Sequence, residues 1–81
     1  MKATECLSAA RSILAGALNV APDTIDDGAT IERLESWDSL GHMRLVLEIE
    51  QRLKRELSPA EIVELDSLSG VQRLLMTSGT D

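Results

Sequence analysis

Aromatic side chains are almost missing from this sequence: Trp37 is the only one in 81 residues, and there is no Phe and no Tyr. Sheets draw on aromatic and β-branched residues, so the scarcity argues against an all-β fold. The core must come from Leu, Ile, Val, Ala and Met, which favour helices. Cysteine is equally scarce. Cys6 stands alone and cannot form an internal disulfide, and with the single histidine, His42, it falls short of the four nitrogen and sulfur ligands of a zinc site, so no metal is expected. Cys6 reads as a small packing residue with no base near it in sequence. Long apolar runs are absent too. Ile13 to Leu18 is too short for a signal core or a membrane span, which sets the expectation of a reducing, cytoplasmic location and no membrane contact. Basic residues number eight against fourteen acidic ones, a net charge of -6, and this argues against a nucleic-acid backbone as partner. The acidic excess leaves two readings open: a solvated surface that confers solubility, or a face for a basic protein partner.

What is present has helical periodicity. The length fits one domain, residues 1–81, of the size that buries about 60 to 65% of the surface its unfolded chain exposes. A monomer is expected. From about Thr4 to Leu18, Leu7, Ala10, Leu14 and Ala17 recur at helical spacing with Ile13 and Leu18 beside them, ending near Asn19 and closed off by Pro22. A loop from about Ala21 to Asp38 follows, past the roughly 12 to 15 residues beyond which loops are uncommon in compact domains, with Ile31 and Leu34 as its expected anchors. Asp38 or Ser39 caps a second helix, in which Leu40, Met43, Leu45, Val46, Leu47, Ile49 and Leu53 cover roughly 220° of the circumference, more than one face needs. Part of that arc is free for a partner or cargo. Ser58, Pro59 and Glu61 form a capping box for a short third helix to about Leu65. Asp66 or Ser67 caps a last helix with Leu68, Val71, Leu74 and Leu75 inward, before a frayed tail over residues 76–81. The expected architecture is all-α: a four-helix bundle of three main helices and a short third one, with a long loop between helices one and two.

Enzymatic readings of Ser39 fail one by one. The nucleophile elbow Gly-x-Ser-x-Gly finds Gly41 in place but Trp37 where its first glycine belongs. A Ser39 and His42 dyad has helical spacing but no second histidine, no evident orienting carboxylate and few residues for a substrate pocket. A calcium loop from Asp23 has Asp27 and Gly28 at its fifth and sixth positions but Ile25 at the third and Leu34 at the twelfth, where oxygen ligands are required. No catalytic activity is expected.

What remains is a serine at a helix start, beside a carboxylate and a tryptophan, after an acidic loop and before an apolar helix. Leu34-Glu35-Ser36-Trp37-Asp38-Ser39-Leu40, followed by Met43, Leu45, Val46 and Ile49, resembles the attachment motif and second helix of the acyl carrier and peptidyl carrier protein family, and the resemblance covers nearly the whole chain. It implies a scaffold that carries acyl or aminoacyl groups as thioesters on 4'-phosphopantetheine, transferred from coenzyme A to Ser39 by a phosphopantetheinyl transferase. Loading and acyl-transferring enzymes would be its other partners. Asp38, Leu40, Trp37 and His42 would surround the arm, and Met43, Arg44, Leu47 and Glu48 would meet partner enzymes. The tripeptide alone decides nothing, because Asp66-Ser67-Leu68 repeats it; only the first copy follows a long anchored loop and opens a long apolar helix, whereas Ser67 reads as a cap. Trp37 is core filling or a partly exposed contact for the arm or transferase. His42, inside the apolar arc, is hydrogen-bonded to the loop backbone or touches the arm's phosphate. The reading from another class is a helical interaction module that is never modified.

The sequence departs from what the resemblance implies for fatty-acid carriers, which continue Asp-Ser-Leu with an acidic residue and keep helix two acidic. Gly41 and His42 follow here, and between Ser39 and Arg55 the basic Arg44, Arg52, Lys54 and Arg55 face only Glu48 and Glu50, a net +2. The rest of the chain holds -8, of which the loop holds -5. Enzymes built for an acidic helix would be repelled, so the expected setting is a specialised pathway of polyketide, nonribosomal peptide or polysaccharide type.

Overall fold

The first helix, α1 (Ala3–Leu18), turns Cys6, Ala10, Ile13, Leu14, Ala17 and Leu18 inward at intervals of three and four, so that its buried stripe meets both α2 (Ser39–Leu53) and α4 (Leu68–Ser78). The short α3 (Pro59–Glu64) buries no residue fully and leans on α4. These elements belong to a computed structural model that describes residues 3–78. The described part contains four α-helices and one turn of 3-10 helix, Pro22–Thr24, in the first loop. The all-α, four-helix expectation is met. Cys6 is fully buried, as a packing residue should be, and Leu68, Val71, Leu74 and Leu75 all face the core. Of the tail expected to fray over residues 76–81, α4 continues through Ser78, and residues 79–81 lie outside the described residues.

The first loop is stitched down at three places. Arg11 of α1 donates from Nε to the Ile25 carbonyl at 3.0 Å and pairs with the Asp27 carboxylate. Thr30 and Ser67 form an isolated antiparallel bridge, in which the Ile31 N–H donates to the Asp66 carbonyl at 2.9 Å and the Leu68 N–H to the Ala29 carbonyl at 3.0 Å. Ile25, Ala29 and Trp37 then enter the core, while the two residues expected as anchors, Ile31 and Leu34, pack only partly against it. The loop is therefore a built element that delivers the chain to α2 at a fixed point.

Helix ends explain the turns between elements. After α1, Asn19 takes a left-handed conformation (φ 59°), its N–H bonding the Gly16 carbonyl and that of Val20 the Ala15 carbonyl, the pairing that closes a Schellman motif. Lys54 ends α2 in the same region, at φ 58° and ψ 41°. A side chain there costs about 1 to 2 kcal/mol against the right-handed region, and glycine escapes the cost. Lys54→Gly is therefore expected to stabilise the protein by about 1 kcal/mol, read from the urea unfolding midpoint.

The box that starts α3 is present in full: the Glu61 N–H donates to Ser58 Oγ at 3.2 Å and the Ser58 N–H to Glu61 Oε1 at 2.8 Å. Arg55 adds two parallel bonds to the Glu61 carboxylate, at 3.0 and 2.8 Å. Those bonds, with the Ser58 N–H second, lower the Glu61 pKa from 4.5 to about 2. A depressed carboxylate contributes stability that is full above its unfolded value and vanishes as pH falls through its folded one, so this contribution should fade between pH 4.5 and about 2. Wild type and Glu61→Gln should differ in unfolding midpoint at pH 7 and converge at pH 2; equal midpoints at pH 7 would contradict the linkage.

Candidate functional site

The capping register at the start of α2 decides what Ser39 is free to do. Asp38 is extended (φ -95°, ψ -172°), and its Oδ1 accepts the Gly41 N–H at 2.8 Å, so the carboxylate is the cap and Ser39 becomes the first helical residue. The serine is exposed, and its hydroxyl has no hydrogen-bond partner among the described residues. One residue's shift reverses this in the second copy of the tripeptide. There α4 begins at Leu68, Ser67 is the cap, and its Oγ accepts the Gly70 N–H at 3.0 Å. Ser67 is also half-buried and held in the bridge to Thr30.

Gly41 shows how closely the first turn of α2 approaches its neighbours. A Cβ there would stand 2.6 Å from Leu18 Cδ2, 3.2 Å from the Ser36 carbonyl oxygen and 3.3 Å from Asp38 Oδ1. The absence of a side chain lets the helix start rest on the end of α1. This close approach had no local signal in the sequence, because Leu18 comes from another element. Trp37 lies just before the cap with 3% of its surface exposed. Its indole N–H donates to His42 Nδ1 at 3.1 Å, and the two rings lie 6.2 Å apart at 28°. Of the two readings of Trp37, the structure matches core filling. For His42 the sequence suggested a bond to loop backbone; the partner is instead a side chain of that loop, the Trp37 indole, and the histidine is half-buried.

The wide apolar arc of α2 divides as its excess width suggested. Gly41, Leu45 and Ile49 are buried, and Leu40, Met43 and Leu47 form a stripe at intervals of three and four that faces outward, Met43 with 61% of its surface exposed. Arg44 and Glu48 are exposed on the turns beside the stripe. Val63 of α3, 74% exposed, is a large apolar surface residue that the sequence reading passed over. Spacing alone does not separate it from Ile62, since neighbours about 100° apart can both face one core, as Ile13 and Leu14 do in α1.

A cleft of about 170 Å³ lies in the first loop, lined by Thr24, Asp26, Gly28, Ala29, Arg33 and Leu34. It contains no residue of α2. Among the described residues no group of three His, Cys, Asp or Glu is placed to hold a metal, and no helix is long and apolar enough to cross a membrane.

A prosthetic arm attached through an ester needs an exposed hydroxyl free of other bonds, and Ser39 meets these conditions where Ser67 does not. The sequence matches the family described as phosphopantetheine attachment site over residues 8–75. No curated protein matches the chain. Because the matched stretch runs from α1 into α4 and so takes in the packed core and the first loop, the chain belongs to this family of non-catalytic carriers that hold 4'-phosphopantetheine covalently.

Proposed function

We propose that Ser39 is the residue that receives 4'-phosphopantetheine, and that the carrier serves a specialised pathway of polyketide, nonribosomal peptide or polysaccharide type in the cytoplasm as a monomer. The observation that supports Ser39 is the register: Asp38 takes the capping role, and the adjacent hydroxyl is left exposed without a partner. Transfer forms one bond from Ser39 Oγ to the phosphorus of coenzyme A's pantetheine arm, breaks the pyrophosphate link to the nucleotide, and releases the hydroxyl proton. When attached, the arm supplies a terminal thiol that holds acyl or aminoacyl groups as thioesters. The protein's own part is to fix the attachment point and to shape what approaches it.

Asp38 holds the first turn, and Leu40, Met43 and Leu47 offer an apolar stripe to the transferase and to acyl-handling enzymes, with Arg44 and Glu48 beside it. The net +2 between Ser39 and Arg55 favours partners with an acidic docking face over those built for an acidic helix. Trp37 and His42 back the attachment turn from the loop side. The family match favours this reading over an interaction module that is never modified. Purified protein incubated with coenzyme A and a broad-specificity phosphopantetheinyl transferase should gain the mass of one phosphopantetheine. An unchanged mass would overturn the assignment.

A further inference from the structure

Trp37 and His42 flank Ser39 in sequence and bond to each other, and that bond fixes which ring nitrogen of His42 accepts. An indole nitrogen can only donate, so His42 Nδ1 must accept. A neutral imidazole has one N–H, which is therefore on Nε2. Nε2 has no hydrogen-bond partner among the described residues, and since no buried side-chain nitrogen there lacks a partner, Nε2–H must touch solvent. His42 follows Ser39 by three positions, which on a helix sets their Cβ atoms about 5 to 6 Å apart. Helical side chains lean toward the N-terminus, which directs the imidazole toward the turn that contains Ser39.

An anion attached at Ser39 meets a turn where the Gly41 amide is already occupied by Asp38, whose own charge repels it. A side-chain N–H donor beside that turn supplies what the occupied amide does not. We propose that the Trp37 indole holds His42 in its Nε2–H tautomer, and that Nε2–H donates to the phosphodiester of the arm carried by Ser39. His42 is then a binding residue for the phosphodiester and Trp37 a positioning residue that acts through it. The inference rests on Ser39 as the attachment residue.

Nitrogen NMR of protein labelled with 15N-histidine tests the first half without the arm. At a pH where the imidazole is neutral, the apo protein should show Nε2 protonated and Nδ1 bare, and Trp37→Phe should move both signals toward the average of the two tautomers. Signals already averaged in the wild type would overturn the latch. For the second half, loading is confirmed by mass, and the Nε2 signal should then shift between apo and holo protein. The phosphorus resonance of holo His42→Gln, which keeps a donor near the Nε2 position, should stay close to wild type, while that of His42→Asn, which keeps only the nearer position, should move. An Nε2 signal unmoved in loaded protein, with one phosphorus shift shared by all three forms, would overturn the contact while leaving Ser39 in place. No mass gain at all would instead remove the Ser39 assignment, and the contact with it.

Discussion

Gly70→Ala is expected to destabilise the protein by about 2 to 3 kcal/mol and to lower its melting temperature by on the order of 10 °C. A Cβ at this position would stand 2.2 Å from the backbone carbonyl oxygen of Glu64 and 3.3 Å from the carbonyl carbon. Neither atom belongs to a flexible side chain that can swing away. Glu64 is the last residue of α3, and Leu65, fully buried, follows it directly, so relief requires moving the end of α3 or the first turn of α4 with its Ser67 cap. Alanine's higher helix propensity offsets up to about 1 kcal/mol, too little to change the sign. Gly16→Ala is the matched control: nothing lies within 4 Å of its Cβ position, and its residue is exposed in the last turn of α1, so the same substitution should stabilise by about 0.5 to 1 kcal/mol. Urea denaturation of the two variants should give opposite signs. A neutral Gly70→Ala would mean that α3 and α4 do not meet as closely as described.

The contrast between these glycines marks where sequence reading stops. Both stand in helices, and periodicity treats them alike; what separates them is a carbonyl from another element. Helix existence and end signals were local and therefore legible, as at the Ser58, Pro59 and Glu61 box, which forms as its spacing indicated. The anchors of the first loop were not. Size and spacing singled out Ile31 and Leu34, yet Ala29 is more deeply buried, because the bridge from Thr30 to Ser67 draws that part of the loop against the start of α4. Ile25 stands among acidic residues that disguise it, and it is buried at the place where Arg11 holds the loop backbone. Pairings between distant residues leave no periodic trace in either partner.

The site was legible to the same degree. The wide arc of α2 announced that some apolar residues would stay outside, and the structure divides it into a buried face around Leu45 and Ile49 and an exposed stripe of Leu40, Met43 and Leu47. The hydrogen bond between Trp37 and His42 was out of reach, since only the folded loop lays the indole over the imidazole. The cap was left open between Asp38 and Ser39, and between Asp66 and Ser67, because aspartate and serine can both accept the amide. Local sequence gives the two tripeptides the same options, and tertiary packing selects opposite ones.

That opposition yields a double dissociation between Ser39 and Ser67. Ser39→Ala removes an exposed hydroxyl with no partner among the described residues, so stability should remain within about 0.5 kcal/mol of wild type while the mass gain from phosphopantetheinyl transfer is lost completely. Ser67→Ala removes the acceptor of the Gly70 N–H, so it should cost about 1 kcal/mol and leave loading intact. Urea unfolding and intact-protein mass, measured on the same preparations, read both quantities. Loading that survives Ser39→Ala would refute the assignment. Loading lost in both variants, with Ser67→Ala still folded, would mean that the transferase reads the bridge between the first loop and α4 as well as the serine. The expected outcome, one variant unloaded but stable and the other loaded but weakened, ties function to the single step in register by which an aspartate caps one helix and a serine the other.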